Sequence, residues 1–378
     1  MDYATLKVIW WLLVGVLLIG FAIMDGHDMG VGTLLPFVGK TDEERRVAIN
    51  SIAPHWDGNQ VWFLTGGGAL FAAWPLIYAA AFSGFYWAMM LVLFALFFRP
   101  VGFDYRSKIQ NPKWRNFWDW ALFVGGFVPP IIFGVAFGNL LQGVNFAFDR
   151  DMILHFQDNL FHLLNPFALV CGLVSSAMVT MQGGTYLAHR TVGDIQSRTI
   201  KYTKLAVYAF IALFVAAGLW LKFGGMQGYG ITSTVDPNGI ANPLLKTVER
   251  TPDWFANYNA NPLLWIFPLL AVGGALAAAM LVGRKKTLAS FVASSLSVIG
   301  TIVTPAVAMF PFMMPSYNHM PSSLTVWDAS SSHLTLGIML GGVAIFVPIV
   351  LAYTSWAYRM MRGKITVDQI EAKDKYLY

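Results

Sequence analysis

Apolar and polar positions along this chain fall into long blocks, not the short periods of a soluble helix or strand. An apolar block can cross a bilayer as a helix once it reaches roughly 20 residues, at about 1.5 Å of rise each. Nine blocks qualify: 7–37, 51–74, 76–98, 118–142, 164–188, 204–222, 262–283, 287–312 and 333–358. The pattern therefore predicts an all-α integral membrane protein with nine transmembrane helices. The first block is overlong, so it tilts or protrudes, and a tight hairpin at Trp74-Pro75 joins the second and third. Segment 223–261 is the one sizeable polar connection and reads as a cap or partner contact. Residues 365–378 read as a short charged tail.

The polar connections also set an orientation, because Lys and Arg accumulate on the cytoplasmic side. Loops after odd-numbered spans and the tail hold all but five of the 25 basic residues, the five being Lys7, Arg150, Lys222, Lys246 and Arg250. This predicts an outside N-terminus and a cytoplasmic C-terminus. Composition agrees: 56% of residues are hydrophobic and 12% charged, against about 25% charged in soluble domains. The net charge of +5 resides in these loops, so it does not point to nucleic acid. A lone Cys171 rules out an intrachain disulfide and any cysteine-based metal site in this chain. No cleavable signal peptide is expected, since the first block outruns a signal core.

Ionisable groups inside the apolar blocks are the chemical signal, because a charge at bilayer depth is costly and normally serves proton or ion traffic. The run Ala53-Pro54-His55-Trp56-Asp57-Gly58-Asn59-Gln60-Val61-Trp62 places an imidazole, a carboxylate and carboxamides at the start of the second span. With the predicted orientation, Asp25, His27, Asp28, His55, Asp57, Arg99 and Asp119 all fall toward the cytoplasmic side. A hydrated inlet for protons needs that arrangement. Each residue also has a plainer reading. Asp25 and Asp28 share a helix face and, with the Gly26/Gly30 spacing, could simply glue helices together. Asp57 could fix a kink beside Gly58. His27 and His55 are either haem ligands or hydrogen-bonded packing residues. Arg99 is an interfacial anchor or a counter-ion for a buried carboxylate or a haem propionate. Trp10-Trp11 reads as an interfacial belt, and Asp328 as the cap of the last span.

Several stretches together resemble subunit II of cytochrome bd ubiquinol oxidase. They are Trp10-Trp11-Leu12-Leu13-Val14-Gly15, Asp25-Gly26-x-Asp28-Met29-Gly30, and Asn50 through Trp62. Phe98-Arg99-Pro100-Val101-Gly102-Phe103-Asp104-Tyr105-Arg106, Gly134 through Gly143, and Trp327-Asp328-Ala329-Ser330-Ser331-Ser332 complete the set. The resemblance covers nearly the whole chain and is weakest in 223–261 and the tail. It implies two four-helix bundles plus one peripheral helix: residues 1–142, 164–312 and 333–358, followed by the cytoplasmic tail 359–378. The implied activity is non-pumping oxidation of quinol coupled to reduction of dioxygen to water. Haem b and haem d would be ligated by subunit I, with no metal held by this chain. A structural quinone can sit among the helices, and a small single-helix accessory subunit can join.

Carried over residue by residue, the resemblance puts Asp57 in a proton route toward subunit I, with His55, Asp25 and Asp28 nearby. It puts Trp62 beside an oxygen path, and associates Arg99 and Asp28 with assembly or haem-site integrity. His27 has no assigned role in that pattern. Two rival readings differ in class: a stand-alone transporter coupled through Asp25, Asp28 and Asp57, and a membrane cytochrome carrying its own haem.

Overall fold

Long apolar runs with their backbone hydrogen bonds closed internally are the only helical way to cross lipid, and such runs dominate the computed structural model. It describes residues 1–157 and 159–372. Six helices come first: α1 (Tyr3–Val38), α2 (Asp42–Ile52), α3 (Trp56–Ala73), α4 (Pro75–Gly84), α5 (Tyr86–Tyr105) and α6 (Pro112–Gln142). After them come α7 (Leu160–Leu163), α8 (Pro166–Arg190), α9 (Gly193–Phe223) and α10 (Ala256–Ala260). The last four are α11 (Ile266–Gly283), α12 (Thr287–Met309), α13 (His333–Met360) and α14 (Val367–Ala372). Among the described residues, eight helices are long and apolar enough to cross a membrane. The ninth expected span corresponds to α3, whose 18 residues include Asp57, Asn59, Gln60 and three consecutive glycines.

Helix edges differ from the sequence expectation for local reasons. Residues 51–55 do not belong to α3. Ser51 and Ile52 finish α2, an amphipathic helix closed at its start by a Thr41/Glu44 capping box. The third block is broken near Phe85, so α4 is a short first piece and α5 runs on past Arg99 to Tyr105. Both α6 and α9 begin well before their apolar runs, at Pro112 and Gly193, where polar residues extend the helix beyond the hydrocarbon.

Helix α1 is the centre of the packing and lies against α3, α6 and α8. Helix α5 packs on α6, while α8, α9, α11 and α12 contact one another. Helix α13 packs mainly on the edges of α1 and α3, and Leu336 is its one buried residue. The closest approach is between α1 and α8. A Cβ added to Gly30 would stand 2.1 Å from the carbonyl oxygen of Val179, and Gly183 faces Gly30 in the same way. Gly26, the other member of the expected pair, is not tight: its nearest neighbour would be 3.8 Å away.

On the side of the N-terminus, three connecting segments fold into a cap built on small antiparallel ribbons. These pair β1 (Phe146–Phe148) with β2 (Leu154–Phe156), β3 (Gly228–Ile231) with β4 (Val248–Thr251), and β5 (Phe312–Met314) with β6 (Leu324–Thr325). The cap is thus larger than segment 223–261 alone. Lys7 of α1 ties it down, donating to the carbonyls of Pro237 at 2.9 Å and Trp327 at 2.6 Å. Lys246 donates to the Ser323 carbonyl at 2.5 Å and pairs with Asp328 at 2.9 Å. Burial pushes the Lys246 amine below its ordinary range, and the Asp328 carboxylate opposes that shift. Asp328 therefore anchors the cap. The start of α13 is capped instead by Ser332, whose hydroxyl accepts from the Thr335 amide at 3.2 Å. Trp10 is likewise internal: it is 2% exposed, and its indole donates to the Leu336 carbonyl at 3.0 Å.

The tail does not trail freely at its start. Ile370 is buried with Val47 of α2 and Ile195 of α9, and the Ile365 amide donates to the Arg190 carbonyl at 2.8 Å. Residues 373–378, including the tail's Lys373 and Lys375, lie outside the described residues.

The α1–α8 crossing predicts the effect of one methyl group. Gly30→Ala should lower the stability of the detergent-solubilised protein by about 1–3 kcal/mol, as overpacking a filled contact does. Gly26→Ala, with ordinary contact distances, should leave its thermal melt unchanged.

Candidate functional site

One turn of α1 carries Asp25, His27 and Asp28, and the helices around it supply the partners. All three are at most 1% exposed. Arg99 of α5, 2% exposed, points inward and grips Asp25 with both terminal nitrogens, at 2.5 and 2.9 Å. The interfacial-anchor reading of Arg99 is therefore replaced by the buried counter-ion. Arg99 also lies 3.9 Å from Asp28, and its guanidinium carbon sits 5.8 Å from the Trp56 ring centre.

Asp28 Oδ2 accepts a hydrogen bond from Asn59 of α3 at 2.8 Å, and the Asn59 carbonyl accepts from Tyr358 of α13 at 2.8 Å. Tyr358 is stacked on His55, with centroids 4.5 Å apart and planes at 1°. The peripheral helix is thus pinned by one residue of its last turns to the carboxylate cluster. His27 lies under Tyr186 of α8 at 4.0 Å between ring centres, with Phe291 of α12 at 6.0 Å.

Asp57 is placed differently. On a helix, positions two apart point to different sides. Since Asn59 faces inward to Asp28, Asp57 faces away, and it is exposed in the isolated chain. Gly58, Val61, Leu64, Thr65 and Gly68 are exposed along the same helix. Trp62 is half-buried and lies flat against Gly20 of α1, where a Cβ would meet its ring at 2.3 Å. The structure therefore brings together Asp25, Asp28, Arg99 and His55, and leaves Asp57 outside that group on an outward face.

A second set of charges closes the α2 side. Arg106 binds Asp119 at 2.5 and 3.1 Å and Asp42 at 2.9 Å, and Arg45 reaches Asp119 at 2.8 Å. Arg115 pairs with Asp42, and Arg198 with Glu44. Asp119 is thus held between two guanidinium groups.

Sequence reasoning did not single out Tyr358, Tyr186 or Arg106 as partners of the buried carboxylates. Tyr358 sits at the end of an otherwise lipid-like helix with no local signal. Asn59 stood in plain view within the polar run, and its spacing from Asp57 already placed the two on different faces.

Residues 6–361 match the family model described as cytochrome bd terminal oxidase subunit II. The chain belongs to the subunit II family of cytochrome bd terminal oxidases. It is 54% identical, over the full length of both chains, to the cytochrome bd-I ubiquinol oxidase subunit 2 of Escherichia coli (strain K12). It is 50% identical, again over both full lengths, to a probable cytochrome oxidase subunit 2 of Haemophilus influenzae. The Bacillus subtilis cytochrome bd ubiquinol oxidase subunit 2 is 32% identical over 96% of this chain and 98% of its own. A chain in the structure of bd oxidase from Geobacillus thermodenitrificans shares the fold, with a TM-score of 0.62 at 13% identity, covering 95% of this chain and 100% of that one. Subunit II is a multi-pass inner-membrane protein and part of a ubiquinol oxidase whose haems and subunit I complete the enzyme. Family membership sets aside the stand-alone transporter reading.

His27 and His55 do not fit a haem. His27 Nε2, the nitrogen left to ligate iron, is blocked by Asp28 Oδ1 at 3.2 Å, and the ring is covered by Tyr186 and Phe291. The His55 ring is covered by Tyr358. A cavity of about 10 Å³ beside Asp28 and Arg99 has room for one water, not a macrocycle.

The Asp25–Arg99 pair predicts an asymmetric stability response. Arg99→Leu alone leaves a buried carboxylate without its cation and should cost about 3–5 kcal/mol. Asp25→Leu combined with Arg99→Leu should recover most of that loss, read as the thermal melt of the purified complex.

Proposed function

We propose that this chain serves its quinol oxidase in two ways: it scaffolds the haem-bearing subunit I, and it supplies a cytoplasmic inlet for the protons consumed when dioxygen is reduced to water. Asp57 is the residue that hands protons toward subunit I. The observation that carries this reading is the exposure of Asp57 on α3, amid apolar and small residues. An ionisable side chain there does not stay against lipid, so the α3 face is the one that subunit I covers. His55, Asp25 and Asp28 line the inner flank of the same helix turn and keep it polar. Arg99 holds the Asp25 charge in place, and Trp62 shapes the α3 surface beside the oxygen path.

Haem b and haem d are ligated by subunit I, consistent with the poor fit of His27 and His55. Quinol is oxidised on the complex, and a structural quinone and a single-helix accessory subunit find their places among the exposed apolar helix faces, with lipid covering the rest. The distribution of Lys and Arg supports an outside N-terminus and a cytoplasmic C-terminus. In that orientation the carboxylate cluster and its ion-paired rim open toward the cytoplasm, and the ribbon cap faces outside. The chain is divided into two bundles, 1–142 and 164–312, joined tightly where α1 and α6 pack on α8, with 333–358 peripheral and 359–372 starting the tail.

Asp57→Asn tests the relay. Quinol-driven oxygen consumption by the intact complex should fall at least tenfold while its haem spectrum is retained. Unchanged turnover at normal haem content would reject the role of Asp57.

A further inference from the structure

His27 and Asp28 present a hydrogen-bonding puzzle that one added proton solves. A backbone carbonyl only accepts, so the 3.0 Å contact between His27 Nδ1 and the Ile23 oxygen requires the proton to be on Nδ1. In neutral imidazole, Nε2 is then a bare lone pair. That lone pair stands 3.2 Å from Asp28 Oδ1, and neither atom has a hydrogen-bond partner. With Asp28 ionised and His27 neutral, two buried acceptors would face each other, leaving both polar atoms unpaired.

Charge balance calls for the same added proton, and a neutral acid–imidazole pair avoids burying an imidazolium and a carboxylate as separate charges. Asp25 and Asp28 are both buried, and Arg99 is the guanidinium within 4 Å of either. Two carboxylates and one cation leave one negative charge at bilayer depth, where an uncompensated charge is strongly disfavoured. The other groups facing the pair are His55 just before α3, Asn59 from α3, Tyr186 and Arg190 from α8, and Tyr358 from α13. Asn59 already donates to the other Asp28 oxygen, and Tyr358 already donates to Asn59.

We propose that Asp28 is a carboxylic acid in the resting complex, its proton on Oδ1 donated to His27 Nε2, forming a buried store for one exchangeable proton. The proton joins the two facing acceptors and brings the cluster of Asp25, Asp28 and Arg99 to neutrality. The cavity of about 10 Å³ lies against Asp28 and Arg99 and reaches Ile49 and Ile52 of α2. It holds about one water, through which the stored proton exchanges from the α2 side. The store stands whether or not Asp57 relays protons: oxygen consumption by Asp57→Asn reads one, and a vibrational band reads the other.

Infrared spectroscopy of the intact purified complex in H₂O and D₂O is the test. A carboxylic C=O band should be present in the wild type, move down in D₂O, and vanish in Asp28→Asn. His27→Phe keeps a ring of similar size against Tyr186 and Phe291 but removes the acceptor, so the band should persist and move up. If Asp28→Asn does not assemble, ¹³C-aspartate labelling of the wild type and of His27→Phe identifies the band. An aspartic acid band that is missing, or that is indifferent to His27→Phe, overturns the proposal.

Discussion

Arg99 closing on Asp25 with two hydrogen bonds is the interaction on which the rest of this molecule depends. A charge at bilayer depth is tolerated only where protein supplies its opposite or a path to water. The pair lets α1 and α5 each carry a charged group into the interior. Once it is made, the surrounding side chains are constrained in turn. Asp28 has Asn59 on one oxygen and His27 beside the other, Asn59 is met by Tyr358, and Tyr358 is stacked on His55. A peripheral helix with little other contact is thereby tied to the polar centre.

The carboxylates of this chain differ in how they are compensated, and that difference sorts their roles. Asp25 and Asp119 are gripped by guanidinium groups and hold helices together. Asp28 is buried without a cation of its own and is suited to hold a proton. Asp57 is uncovered in the isolated chain and is suited to exchange one with a neighbour. Geometry of this kind separates structural from chemically active carboxylates more sharply than sequence position does, since all of them fall on the same side of the helix array.

Much of this was legible in the sequence because lipid imposes a simple rule on apolar runs. The long blocks gave the helices, and the motifs around Asp25, Asp57 and Arg99 gave the family. Less visible was anything that depends on the partners of a residue. The break near Phe85, which divides the apolar run into α4 and α5, is marked only by Ser83-Gly84, a pair easily passed over inside so apolar a stretch. Asp328 looked like a helix cap because it precedes α13, yet a lysine some eighty positions earlier in the chain claims it. Arg99 looked interfacial because it ends an apolar run, and only the course of α5 past it shows that it is buried. Tyr358 and Tyr186 carry no signal at all, since tyrosines at such positions commonly serve as membrane-interface residues.

A density map of the assembled heterodimer in a lipid environment tests the central claim most directly. The account predicts the α3 face buried against subunit I, with the Asp57 carboxyl at that interface and ordered water leading from it to the cytoplasmic side. A map in which α3 borders lipid, or in which Asp57 is sealed from both the cytoplasm and the neighbouring subunit, would contradict it.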